Sequence, residues 1–453
     1  MGQTFLFFDD FLLTEYRQVV RRFSRPEPVE GGIFPEGDWL ITVEYVPEEG
    51  IYRMWHRRWL QLPGPSPRPD ARAYPVMAVA ESDDGIHWRP AELPPETDRL
   101  TGRFPSVCFS GVTFCDEFHV YRDHTDPEFP YKTAYVDKDE GGEVRMWLAF
   151  SRDGLRWETE RTPWLAAARW SDTQNHLIYN PVTERYQITC RKSFVDRRVF
   201  LTESPDLKHW TRPRLVLHPD PGDVPCLEFY GLPVFYYEGL FIGFLLVYRP
   251  DPGERAKPAY RGQTVTELVY SYDGLQWNRT RHIFLPRRHP GELGAGQVFG
   301  SHLLTDPRTG RLYIYAYATL REHGVPGPSG VLVYGLRKDG FVYLESVGTG
   351  YICTKPLLVN GERLSLNISA PHGWVSLQVS DVEGEPYPGY GFEDFGRWRG
   401  DATALEPKWE GRGLERLVGK TVRLELLLSE ARLYAIRGDL LPFHGADPLA
   451  GYG

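Results

Sequence analysis

Ser82-Asp83-Asp84-Gly85-Ile86-His87-Trp88 returns as Ser151-Arg152-Asp153-Gly154-Leu155-Arg156-Trp157, as Ser204-Pro205-Asp206-Leu207-Lys208-His209-Trp210 and as Ser271-Tyr272-Asp273-Gly274-Leu275-Gln276-Trp277. A fifth, shorter copy is Lys338-Asp339-Gly340-Phe341. The aromatic positions 88, 157, 210, 277 and 341 step by 69, 53, 67 and 64 residues. A unit recurring at such a period marks an array of supersecondary elements. Asp-Gly is a tight-turn pair, because glycine accepts positive φ at little cost. An apolar β-rich run precedes each copy, such as Val76 to Ala80, Val144 to Phe150 and Glu267 to Tyr270. Two more strands precede the fourth unit, Leu232 to Tyr236 and Leu240 to Leu245, joined at Glu238-Gly239. Four short antiparallel strands repeated five times predict an all-β five-bladed β-propeller. The alternative is a β-sandwich with unrelated Asp-Gly turns.

The expected blades run 36–90, 105–160, 172–213, 226–281 and 295–346, with residues 5–13 as a terminal strand that closes the last one. Pro-rich stretches such as Leu62 to Pro69 are long loops, the segments that build binding faces. After Ser346 the repeat stops. Leu364 to Ile368, Trp374 to Val379 and Val422 to Leu428 alternate as strands without it. The expected division is therefore a propeller over 1–348 and a β-sandwich over 349–453.

The 453 residues are too many for one small core, and a formal net charge of -9 argues against nucleic acid or an anionic membrane as partner. The N-terminus has no basic stretch before its apolar residues, so it does not read as a secretory signal. Five cysteines, odd in number and without a Cys-x-x-Cys pair, read as reduced thiols of a cytoplasmic protein.

Counting back from the first hairpin of each blade places a carboxylate near the start of four inner strands. These are Asp38 with Glu36 beside it, Asp116, Asp172 and Glu228; the fifth position is Gln297 or Val298. Converging carboxylates repel one another and so cost stability. Two carboxyls facing one pocket are the equipment of glycoside hydrolysis. Alternatively, such acids cap strands or bind backbone amides between blades. Trp39, Trp55, Trp147 and Trp170 are candidates to stack on a sugar or to pack the core. Arg191 and Lys192 could meet a sugar or end a solvated strand.

A five-bladed propeller followed by a β-sandwich resembles the furanosidase-type glycoside hydrolases of families 32 and 43. Ala80 to Trp88, Asp172-Thr173-Gln174-Asn175, and Gly400-Asp401 through Leu433-Tyr434 further resemble bacterial family 32-like hydrolases. The resemblance implies an exo-acting enzyme on a small furanoside-containing saccharide. It matches Asp38 to the nucleophile or base, Asp172 or Asp116 to the acid that orients substrate, and Glu228 to the general acid. Glu36, Asp116, Asn175, Arg191 and His302 are the expected substrate-binding residues. No cofactor is expected, apart from an axial calcium reached through His302 as in some family 43 relatives. The segment Trp-x-Asn-Asp-Pro-Asn-Gly of family 32 is absent, and Cys226 stands two residues before Glu228 instead of beside it. Asp38, Asp172 and Glu228 should face one pocket. Three acids each held by an arginine would instead indicate a saccharide-binding or scaffold propeller without turnover.

Overall fold

A computed structural model describes residues 2–62, 73–160, 171–191, 196–251 and 261–442. The chain forms two compact units, Pro26–Leu336 and residues 2–25 together with 337–442.

The first unit is a β-propeller of five antiparallel four-stranded groups. Thr42–Val46, Ile51–Leu60, Tyr74–Ser82 and Arg89–Pro90 make the first, to which Val107–Phe109 adds beside Tyr74–Ser82. The second is Asp116–Arg122, Tyr131–Lys138, Val144–Ser151 and Trp157–Glu160. The third is His176–Asn180, Arg185–Cys190, Val199–Ser204 and Arg214–Leu217. In the fourth the innermost strand is split into Glu228–Gly231 and Val234–Tyr237, followed by Leu240–Pro250, Gly262–Ser271 and Asn278–Leu285. The fifth is Gln297–Thr305, Leu312–Thr319, Ser329–Leu336 and, from the other end of the unit, Glu27–Phe34.

The recurring motif is a turn built from its own side chains. Ser82 Oγ accepts from the Gly85 N–H at 2.9 Å, and Asp84 Oδ1 accepts from Ile86 and His87 at 2.8 and 2.9 Å. Ser151 with Asp153, and Ser271 with Asp273, repeat this pattern. Gly85, Gly154 and Gly274 take φ of 76°, 75° and 71°, while Leu207 bears 63° in the copy that lacks glycine. Each glycine-bearing turn receives a side chain from the neighbouring group. Trp55 donates to Gly154 O at 2.7 Å, Asn180 to Asp273 O at 2.8 Å, and Tyr315 of the fifth group to Gly85 O of the first at 2.8 Å. The last contact, with Tyr52 donating to Asp306 at 2.5 Å, closes the ring.

The closing strand differs from expectation. Glu27–Phe34, not residues 5–13, completes the fifth group. Gln3–Leu6 pairs with Arg432–Pro442 in the second unit. The apolar residues Phe5 and Phe7 are buried in the core of that unit, which is where their burial is favourable. The third blade reaches Leu217 rather than 213, and the fifth stops at Leu336 rather than 346. Lys338 to Phe341 therefore does not lead back into a blade but into Val342–Thr354 of the second unit. The boundary expected at 348 falls at 337.

The second unit is a seven-stranded β structure with one core. Its two longest strands each serve three partners: both pair with Thr421–Ser429 and Arg432–Pro442, Val342–Thr354 also with Leu13–Phe23, and Leu357–Ser380 also with Trp398–Leu405. Val342–Thr354 pairs through Leu344 and Glu345 with Leu433 and Arg432, and through Thr349 to Cys353 with Ser429 to Glu425. Leu357–Ser380 pairs first with Arg432–Pro442 and then with Thr421–Ser429. Leu366, Ile368, Val375, Leu377 and Val379 alternate inward as expected and share the core with Leu424, Leu426 and Trp409.

Candidate functional site

A pocket of about 480 Å³ lies in the propeller unit. Its apolar wall is aromatic: Trp39, Trp59, Tyr230, Phe299 and Tyr317. The Trp39 ring centroid lies 5.5 Å from that of Tyr230 and 5.3 Å from that of Phe299. Its polar lining is Arg57, Glu117, Asp172, Gln297 and His323. Aromatic faces with a few polar groups between them are what a sugar ring requires, since each pyranose or furanose has apolar C–H faces and a polar rim.

The expected acids do stand where inner strands begin. Asp116 and Glu228 open Asp116–Arg122 and Glu228–Gly231, while Asp38 and Asp172 each precede an inner strand. Their surroundings differ from expectation. Asp38 accepts from Arg57 Nε at 3.2 Å, and the fully buried Asp116 accepts from Arg57 Nη1 at 3.2 Å. Glu228, also fully buried, accepts from Arg197 at 2.7 Å. Asp172 is held by Arg191 but remains 32% exposed. Of the three acids matched to catalysis, Asp172 lines the pocket, whereas Asp38 and Glu228 do not. All three are paired with arginine. The condition set for a non-catalytic reading is thus met for this trio.

The expected binding residues are placed as follows. Glu36 is exposed in a turn. Asn175 is buried and donates Nδ2 to the backbone oxygen of Glu117 at 2.8 Å. The Arg191 guanidinium lies 4.9 Å from the Tyr230 ring centre, and Arg197 lies 5.1 Å from it. Of the tryptophans, Trp39 lines the pocket. Trp55 and Trp147 are buried and hydrogen-bond to backbone oxygens, which are packing roles. Trp170 and Lys192 lie outside the described residues.

His302 belongs to a buried group with His119 and His176. The His119 and His176 rings stack at 3.5 Å, and His302 lies 6.4 Å from His119, with Phe235 edge-on to both His176 and His302. Calcium takes six to eight oxygen ligands. The side chains packed on His302 are His119 and Phe235, and its ring hydrogen-bonds the Val43 backbone, so among the described residues no carboxylate is shown beside it to suit the expected calcium. Among the described residues no group of three His, Cys, Asp or Glu side chains could hold a metal ion.

Burial holds these imidazoles neutral. It pushes His119 and His176 well below their ordinary value and His302 down to about 3, with neighbouring imidazoles adding to the effect on the first two. His56 and His323 are also lowered, each to about 4, again chiefly by burial. In the unfolded chain these groups take up a proton near pH 6.5. Between pH 6.5 and about 4 the unfolded state thus binds more protons, so stability is lost as the pH is lowered through that window. We expect the melting temperature to drop steeply from pH 6.5 to 4.5 and to be nearly level from 6.5 to 8. A level profile down to pH 4.5 would show that these histidines are not buried neutral.

Glu117, Arg57 and Tyr230 were not picked out from the sequence. The acidic pair Asp116-Glu117 at a strand start was a usable signal for the first. Arg57 lies in mid-strand with nothing local to mark it.

No protein-family model matches this sequence, and no curated protein matches it. Solved structures similar to it include the beta-1,2-mannobiose phosphorylase from Listeria innocua, at 14% identity over 70% of this chain and 96% of that one, with a TM-score of 0.47. A glycosyl hydrolase from Bacteroides ovatus is similar at 16% identity over 71% and 96%, TM-score 0.46. A thermostable family-43 glycoside hydrolase is similar at 15% identity over 70% and 95%, TM-score 0.45. Likeness at this level leaves the reading of the site to its own geometry. Among the described residues no helix is long and apolar enough to cross a membrane.

Proposed function

We propose that the propeller unit binds a small saccharide in this pocket and hydrolyses one of its glycosidic bonds. The observation that carries the reading is the lining itself: five aromatic side chains and, among them, the carboxylates Glu117 and Asp172 from adjacent blades. Asp172 is partly open to solvent, where a water can reach it. An exo action on a furanoside follows from the resemblance noted in the sequence and forms part of the proposal. Arginine pairing of Asp38, Asp172 and Glu228 favours a second reading, a saccharide-binding propeller without turnover, because a carboxylate held by a guanidinium keeps its charge and gives no proton.

Aryl furanosides and aryl pyranosides, assayed for phenol release beside calorimetric titrations with the free sugars, separate the two. Release supports hydrolysis, binding without release supports the second reading, and neither result removes both. For a substrate that is turned over, Asp172→Asn should lower kcat/KM by about 10²–10⁴. An unchanged kcat/KM would place Asp172 outside the chemistry.

A further inference from the structure

We propose that Trp59 is the platform on which the sugar ring stacks, with the Arg57 guanidinium fixed against one face of the indole. The inference rests on the reading that this pocket takes a saccharide. The five aromatic side chains of the wall are not equally placed to meet a ligand. Trp39, Tyr230 and Phe299 are buried, and their ring centroids lie 5.3 to 5.5 Å from one another. Tyr317 is partly buried, and its ring lies 6.0 Å from that of Phe299. All four pack in one core cluster, which Trp55 and Tyr248 share. Trp59 stands outside that cluster and is 37% exposed. A single exposed aromatic residue is ordinary on a protein surface. Trp59 differs in standing at a cavity and in being backed by a held charge.

The strand sets up this arrangement. Trp55, Arg57 and Trp59 are two residues apart in Ile51–Leu60, so they project from the same face. Along that face the chain passes from core to cavity: Trp55 is fully buried, Arg57 nearly so, and Trp59 opens to solvent. The Arg57 charge centre lies 4.8 Å from the Trp59 ring centre and 5.6 Å from that of Trp39. Its bonds to Asp38 and Asp116, 3.2 Å each, anchor it to the first and second blades. The cation–π contact therefore holds the indole against a group that is itself tied down.

An indole offers a broad flat surface on only two rotatable bonds, so a ligand that covers it freezes little side-chain freedom. The C–H face of a sugar ring is apolar and faintly positive, and so complements an aromatic face. Asp172 lines the same cavity, so stacking and the proposed chemistry share one site.

The test titrates the full chain and its variants with a panel of methyl furanosides and methyl pyranosides, which carry no chromophore to mask indole emission. For the glycoside that the wild type binds, Trp59→Ala should weaken affinity about 10–100-fold, the worth of a large apolar face. Trp59→Phe keeps a flat ring and should lose far less. Trp59→Leu keeps apolar area without a flat ring and should lose nearly as much as Trp59→Ala. Leucine matching phenylalanine would show a contact that is only apolar, which overturns the stacking. The sugar should also shift the tryptophan emission of the wild type, and Trp59→Phe should abolish that shift. A shift that survives in Trp59→Phe overturns the assignment, since another indole then meets the sugar. Because Trp59 lies outside the core, each variant should melt close to the wild type. A collapse of the melting temperature in Trp59→Ala would mark a packing residue and overturns the assignment too. A wild type that binds, with unchanged affinity in Trp59→Ala, removes this assignment alone. A wild type that binds no glycoside of the panel removes the saccharide reading and the assignment with it.

Discussion

Arg57→Met should cost the propeller unit about 3–5 kcal/mol, a large share of the about 5–15 kcal/mol of an ordinary domain. The guanidinium is 11% exposed and bonds Asp38 and Asp116 at 3.2 Å each. Its charge centre lies 5.6 Å from the Trp39 ring centre and 4.8 Å from that of Trp59. Burial alone would push its pKa down, but Asp38 and Asp116 more than offset this and raise it well above the ordinary value. Methionine fills much of the same volume and removes the charge. What remains is a buried Asp116 and a nearby Asp38 that have lost the guanidinium they shared. Breaking a buried pair from one side is more damaging than replacing both members, because the uncompensated charge stays in low dielectric. Urea denaturation of the wild type and the variant measures the loss. Adding Asp116→Asn to the variant should recover part of it. A variant as stable as the wild type would mean that the acids are solvated and that the arginine is not their counter-ion.

Removing residues 1–25 should unfold the second unit, although these residues are far in sequence from most of it. Gln3–Leu6 adds to Arg432–Pro442, and Leu13–Phe23 runs along Val342–Thr354. Phe5, Phe7 and Leu12 are buried in its core. Each such side chain contributes about 1.5–3 kcal/mol by burial, so three together approach the whole stability of an ordinary domain, about 5–15 kcal/mol. Loss of one thermal transition, with dye binding to exposed apolar surface, is the expected observation. A cut after residue 348 should do comparable harm, because Leu13–Phe23 would keep only the first half of its partner strand. Aggregation is expected there. A fragment covering 26–336 retains all five blades, including the closing strand Glu27–Phe34, and is expected to stay folded. A chain lacking residues 1–25 that melts like the full protein would show that the two terminal strands are dispensable.

The repeat of Ser-x-Asp-Gly-x-x-Trp was sufficient to predict the propeller, because the turn is made by side chains two and three residues apart and needs nothing distant. The alternation of Leu366 with Ile368, and of Val375, Leu377 and Val379, placed the second core for the same reason. The offsets of Asp38, Asp116, Asp172 and Glu228 from their hairpins likewise follow strand geometry, which is local. The closing strand was not legible. Glu27-Pro28-Val29-Glu30-Gly31-Gly32-Ile33-Phe34 has a proline and two glycines and looks like a loop, while Phe5 to Leu13 looks like a strand, and propensity does not say which sheet an edge belongs to. The roles of the acids were decided in three dimensions. Arg57, Arg191 and Arg197 stand 19 to 59 residues from the carboxylates they hold, and charge pairing depends on distance in space. Glu117 enters the pocket because one extra residue in its strand and two hydrogen bonds from Asn175, 58 residues away, fix a backbone angle that no local pattern dictates.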